Sequence, residues 1–206
     1  TLRDAAPDIG AFESPFGAAV LHVSNVSLNE GYSGTTTMSF PISLSTVKGI
    51  TVTVEYTLTD GSATSGVDYT GALAGVVAFA PGQTSQNVDL QMIGEQLVET
   101  NETVNLTLAN PQFATVNTAT ATGTILNDDS ATLALADTTV LEGNNGTSSL
   151  VFTATLDQPV ANSITLVYAS GDSTATFADS DYIASSGQIT FAAGETSQTI
   201  TITVNI

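Results

Sequence analysis

Eight residues of this chain, Phe79-Ala80-Pro81-Gly82-Gln83-Thr84-Ser85-Gln86, return almost unchanged as Phe191-Ala192-Ala193-Gly194-Glu195-Thr196-Ser197-Gln198. The offset is 112 (191 − 79). Other anchors keep it: Glu30-Gly31 reappears as Glu142-Gly143, and Ala63-Thr64 as Ala175-Thr176. Asp68-Tyr69 returns as Asp181-Tyr182 at 113, so one residue is inserted in that loop. A repeat this regular means two copies of one module, and the fold must be one that about 110 residues can complete.

The pattern inside each copy is short runs of period-two alternation rich in Thr, Val and Ile, broken by Gly, Asn, Asp and Ser. In the first copy the predicted strands are 35–44, 50–59, 75–79, 86–93, 103–108 and 119–126. Strands at this spacing with turn residues between them predict an antiparallel sandwich of about seven strands. Alternation places Phe40, Val52, Val54, Tyr56, Phe79, Val88, Leu90, Val104, Leu106, Leu108 and Ile125 in the first core. Val151, Phe152, Leu166 and Phe191 are their expected equivalents in the second.

The copies are unequal. About 40 residues follow the Pro81-Gly82 turn in the first, whereas the second reaches only Ile206 and lacks equivalents of Glu95 to Asp129. The second sandwich is therefore expected to be short of its final two strands, with long unpaired edges. The reading is a tail over 1–18, a first module over 19–129 and a second, incomplete module over 130–206.

Charge narrows the function. Twenty acidic side chains face two basic ones, Arg3 and Lys48, for a net charge of −18. Such a surface repels nucleic acid and anionic lipid. No apolar run is long enough to cross a bilayer. With no cysteine and one histidine, His22, thiol chemistry is excluded and a Ser-His-Asp set has no plausible base. Aromatic residues make up only 6%, too few for the platforms of a carbohydrate-cleaving cleft. The chain is read as a non-enzyme. His22 alternates with apolar neighbours and is read as a solvent-facing strand residue. Four sequons, at Asn25, Asn101, Asn105 and Asn145, matter only in a eukaryotic secretory route.

The acids are not scattered. Glu30 follows an early strand, Asp68 lies in a loop, Glu95, Glu99 and Glu102 follow the run ending at Ile93, and Asp128-Asp129 ends the last strand. In an antiparallel sandwich such strand ends collect at one pole. Carboxylates gathered there repel each other unless a cation holds them. Many hard oxygen ligands without His or Cys is the set that Ca²⁺ selects.

These residues also carry a resemblance. Glu30-Gly31, Asp60-Gly61-Ser62-Ala63, Asp68-Tyr69, Phe79 to Thr84, Glu95 to Glu102 and Asn127-Asp128-Asp129 are similar in order and spacing to the Calx-β domain. The resemblance spans roughly residues 19–206 and implies an all-β fold of two tandem immunoglobulin-like antiparallel β-sandwiches, the second incomplete. It also implies a Ca²⁺ site whose ligands are Glu30, Asp68, Glu95, Glu99, Glu102, Asp128 and Asp129. Two departures, Gly94-Glu95 and Asn127 where the family often has aspartates, imply fewer ions, one or two. The second module keeps Glu142 and Asp181, with Asp172 and Asp179 nearby, and is expected to hold only half a site. Because Ser130 follows Asp129 directly, an ion at this pole would stiffen the junction.

The first residues, Arg3 and then Pro7 to Glu13, resemble the closing segment of right-handed parallel β-helix domains of large bacterial surface proteins. The expected role is a calcium-stiffened structural or adhesive module of an extracellular, cell-surface or secreted protein. Its partners would be calcium ions, other surface proteins or copies of itself, with no nucleic acid and no membrane insertion. The alternative is a calcium-independent interaction module, or one that assembles by strand exchange.

Overall fold

The computed structural model describes residues 18–206; the tail and its β-helix resemblance lie outside the described residues, apart from Ala18. The described residues contain strands and no helix, and hence no helix long and apolar enough to cross a membrane. They form two compact units. The first runs to Leu28 and includes Thr35–Ile93 and Glu102–Ile125. The second comprises Asn29–Gly34, Gly94–Asn101 and Leu126–Ile206.

Among the described residues ten strands precede residue 127: β1 Ala19–Val23, β2 Val26–Asn29, β3 Gly34–Leu44, β4 Val52–Asp60, β5 Tyr69–Thr70, β6 Ala74–Phe79, β7 Ser85–Gly94, β8 Glu102–Gln112, β9 Ala114–Thr118 and β10 Thr120–Leu126. They make two five-stranded sheets, ordered β5-β7-β3-β1-β9 and β2-β10-β8-β4-β6. The six predicted strands are all present, within one to four residues at their ends. Ten strands rather than seven are found because short ones add to the sheets: β5 has two residues and β2 four. β9 pairs parallel to β1, Ala19 opposite Ala114. Parallel pairing of distant segments leaves no local signal in a sequence.

The alternation does what the pleat requires. In β3, Met38, Phe40, Ile42 and Leu44 point inward and are buried, as are Val88, Leu90 and Met92 in β7 and Val104, Leu106 and Leu108 in β8. All eleven expected core residues of the first module lie in or against one cluster, ten buried and Tyr56 partly so. Each fully buried Phe or Leu contributes roughly 1.5–3 kcal/mol.

After residue 130 there are five strands: β11 Leu133–Leu135, β12 Thr147–Leu156, β13 Ile164–Ala169, β14 Ser186–Phe191 and β15 Ser197–Asn205. They form a three-stranded sheet, β11-β12-β15, and a two-stranded sheet, β13-β14. By the 112-residue offset these match β3 to β12, β4 to β13, β6 to β14 and β7 to β15. Five strands, β2, β5, β8, β9 and β10, have no match among the described residues; three of them follow β7, one more than the two the sequence suggested. Phe191 is fully buried, and Phe152 and Leu166 partly so. Val151 is a correction: it is 43% exposed. The run Leu150-Val151-Phe152 is apolar throughout, and the inward pair is Leu150 and Phe152, which match Met38 and Phe40.

Candidate metal centre

Three short segments of the second unit bring acids together: 29–34 after β2, 94–101 between β7 and β8, and 126–129 after β10. The backbone fastens them. Glu30 N–H donates to the Leu126 carbonyl at 3.2 Å, and Gly31 N–H donates to Asp128 Oδ1 at 3.1 Å. The Asn29 side-chain amide donates to Asp128 Oδ2 at 3.2 Å, and Asn127 N–H donates to Asn101 Oδ1 at 3.2 Å. Gly94 makes the close approach possible: a Cβ there would collide with the Gly31 carbonyl oxygen. Gly31 itself has φ of +83°, open to glycine at little cost.

One carboxylate oxygen from each of Glu30, Asp128 and Asp129 lies within 4.8 Å of the other two. The same holds for Glu30, Glu95 and Glu99. Glu30 is the member common to both groups and is 2% exposed. Burial, then the charges of Glu95, Glu99, Asp129 and Asp128, pushes its carboxyl up to about 8. Asp129 is also raised, first by burial and then by Asp128. Both Asp129 oxygens are buried and accept no hydrogen bond among the described residues. No lysine or arginine occurs in the three segments. A buried carboxylate with neither donor nor counter-ion is costly unless a cation completes it.

Asp68 and Glu102 belong to the first unit, where an oxygen of one lies within 4.8 Å of an oxygen of the other. Asp68 is buried, and its Oδ2 accepts the Thr64 N–H at 2.7 Å. Asp181 does the same in the second module, accepting the Thr176 N–H at 2.8 Å. The recurrence of this aspartate is thus explained by loop closure, whether or not an ion binds. The neighbouring Asp60 is a second closure: its Oδ1 accepts the Ser65 N–H at 3.0 Å and the Tyr69 hydroxyl at 2.7 Å. Asp172 repeats it with the Phe177 N–H at 2.9 Å and the Tyr182 hydroxyl at 2.6 Å.

One oxygen was missed by the sequence reading. Asn127 counted only as a lost aspartate, yet its Oδ1 is buried without a donor while its Nδ2 donates to the Asp129 carbonyl at 3.2 Å. A neutral amide oxygen is an ordinary Ca²⁺ ligand. Its signal was its place in the Asn127-Asp128-Asp129 run. In the second module Glu142 is exposed and Asp181 partly so, and among the described residues no three acids converge there. His22 is partly buried, on the face of β1 opposite Leu21 and Val23.

The donor set fits a divalent hard cation. In the second unit five carboxylates and an amide oxygen, with no soft ligand, suit the six to eight oxygens of Ca²⁺ better than the compact octahedron of Mg²⁺.

A profile of the Calx-beta domain matches the chain twice, over residues 21–139 and 127–206. No curated protein sequence matches it. Among solved structures, the chain is similar to the apo-form Calx CBD1 domain at 23% identity and TM-score 0.48, covering 55% of this chain and all of that one. It is also similar to the calcium binding domain CBD12 of CALX1.1, at 21% identity and TM-score 0.49, covering 88% of this chain and 74% of that one. CBD12 from CALX1.2 is matched at 22% identity and TM-score 0.48, over 90% and 74% of the two chains.

Proposed function

The chain belongs to the Calx-beta domain family, in two tandem copies, and from that premise we propose that it is a calcium-binding structural module of an extracellular multidomain protein. The observation that carries the reading is the buried carboxylate of Asp129, without a donor, beside Glu30 and Asp128. Glu30, Asp128 and Asp129, with Asn127 Oδ1, hold one ion; Glu95 and Glu99 share Glu30 and complete its neutralisation. Asp68 and Glu102 are a further acidic pair of the first unit, suited to an additional ion. A bound ion ties segments 29–34, 94–101 and 126–129 together and so stiffens the chain where the first module passes into the second. Extracellular calcium is abundant, so a weak site suffices. The surface or adhesive role of the parent protein is part of the same proposal.

The test is calorimetric titration of the metal-free protein with Ca²⁺, paired with melting curves in calcium and in chelator. Saturable heat and a melting shift, both absent when Asp128 and Asp129 are replaced by Asn, are expected. No heat at millimolar calcium together with identical melting curves would reduce the chain to a plain spacer.

A further inference from the structure

β6 is an outer strand of the β2-β10-β8-β4-β6 sheet in the first unit. Its bonds to β4 fix which of its groups face away. Leu58 N–H donates to the Leu73 carbonyl at 2.7 Å, and the same register sets Tyr56 opposite Gly75, Val54 opposite Val77 and Val52 opposite Phe79. In an antiparallel ladder, bonded pairs alternate with unbonded ones. Gly75, Val77 and Phe79 therefore bond to β4. The N–H and C=O groups of Ala74, Val76 and Ala78 point to the open edge, where no strand lies among the described residues. The side chains of these three residues stand on the outer face of the sheet, all exposed, Val76 by 63%.

Sheets ordinarily blunt such an edge with a short strand, polar or charged side chains, or proline. The other three edges of the unit do so: β5 has two residues, β2 has four, and β9 presents Thr115 and Asn117. β6 does not. From Gly71 to Ala80 there is no charged, hydroxyl or amide side chain. The repeat shows that the fold does not demand this. β14, the match of β6, has Ser186, Gln188 and Thr190 at the equivalent exposed positions.

The edge is also complementary to itself. Ala74, Val76 and Ala78 read the same in both directions. An antiparallel copy centred on Val76 sets Val76 against Val76 and Ala74 against Ala78, each a pair of the bonded kind that exchanges both N–H···O bonds. Charge permits the approach. The acid beside Val76 is Glu55, opposite it on β4, and the Asn110 side chain of β8 donates to Glu55 Oε2 at 2.7 Å, on the side of β4 away from β6. In such a pair the two Glu55 residues stand three strand spacings apart, about 14 Å, beyond the screening length of about 8 Å at physiological salt. The net charge of −18 keeps other surfaces of two copies apart.

We propose that β6 is a self-recognition edge whose occupant is the β6 of a second copy of this chain, added antiparallel about a two-fold axis at Val76. The contact is isologous, so it closes at a dimer and does not propagate. Strand addition draws its affinity from the main chain. A single six-residue strand makes a small interface, so the dimer is weak, with a dissociation constant on the order of 0.1 mM. The proposal is independent of the calcium reading.

Sedimentation equilibrium of the full 206-residue protein in chelator tests it. A monomer–dimer equilibrium is expected, strengthened by added salt as the acidic charge is screened. Val76→Gln, which installs the residue of β14, should weaken it at least about tenfold. Val76→Lys should leave only monomer. Both changes fall on an exposed side chain and should leave the melting transition in place, and Gln188→Lys at the matched edge should not alter the equilibrium. Register is read by cross-linking, since the chain has no cysteine. A mixture of the Ala74→Cys and Ala78→Cys proteins should form a disulfide-linked dimer in oxidised glutathione, because bonded antiparallel partners lie about 5.5 Å apart at Cα. Either protein alone should cross-link far more slowly. A chain that stays monomeric up to about 1 mM, an association that survives Val76→Lys or is lost with Gln188→Lys, oligomers larger than a dimer, or equal cross-linking of single and mixed samples would each overturn the proposal.

Discussion

The two modules share their sequence words and differ in what those words accomplish. Glu30 is 2% exposed and touches four other acids by charge, whereas its match Glu142 is exposed. Ala63 is fully buried and Ala175 exposed; Phe40 is fully buried and Phe152 only partly. The residues themselves are the same or close, so the difference lies elsewhere, in β8 to β10. Those strands supply Val104, Leu106, Leu108, Ala121 and Ile125 to the first core, and β10 leads directly into Asp128 and Asp129 beside Glu30. Burial and the acidic cluster therefore arrive together: among the described residues the second module, without matches for these strands, has neither the closed core nor the gathered acids of the first.

The sharpest way to break this comparison is through the matched phenylalanines. Phe40→Ala should cost about 3–5 kcal/mol of unfolding free energy, and Phe152→Ala roughly half of that or less, measured by denaturant unfolding. Equal costs would mean that the second core is closed in solution. Next in size is the calcium-dependent stability, about 2.7 kcal/mol at a hundredfold excess over the dissociation constant. The double replacement Asp128→Asn and Asp129→Asn should remove it, while the metal-free protein keeps its fold by circular dichroism. Gly94→Ala should destabilise by about 1–3 kcal/mol, since the new Cβ would press on the Gly31 carbonyl; its calcium affinity should fall as well.

The pH response sharpens the same contrast. Glu30 ionises near 8 in the folded metal-free state against an ordinary 4.5, so the folded state holds the extra proton between those values. Stability without calcium should be full below about 4.5 and decline as pH rises towards 8. Calcium competes with that proton, so melting curves in calcium should flatten this decline and affinity should rise across the window. A metal-free melting temperature that climbs from pH 5 to 8 would contradict the burial of Glu30. The smallest effect belongs to Glu142→Gln, exposed and outside any acidic group: within about 0.5 kcal/mol of zero, with an unchanged calcium titration.

The sequence made the long strands legible because Met38, Phe40, Ile42 and Leu44, or Val104, Leu106 and Leu108, alternate without interruption. It did not reveal β5 or β9, whose existence depends on partners far along the chain. It misplaced Val151 because three consecutive apolar residues carry no phase, although matching Phe152 to Phe40 would have supplied it. The acids were found by type and by position at strand ends. Their grouping was not: Glu30, Glu95, Glu99, Asp128 and Asp129 pack with the second unit, while Asp68 and Glu102 pack with the first. Nor could spacing separate a carboxylate that closes a loop, such as Asp60, from one whose oxygens are buried without a donor, such as Asp129. That distinction rests on which N–H groups reach each oxygen.

Between Glu95 and Glu99 stands Val98, whose N–H donates to the Pro159 carbonyl at 3.0 Å and whose carbonyl accepts the Ala161 N–H at 2.9 Å. Its side chain packs against the cluster of Ala154, Leu156, Val160 and Phe191. Surface loops are ordinarily where a lineage can lengthen or shorten a chain without penalty. This one is pinned at three points within five residues. An insertion on either side of Val98 would withdraw a glutamate from Glu30 or pull the valine off Phe191's cluster. The loop at 94–101 should therefore hold its length through divergence.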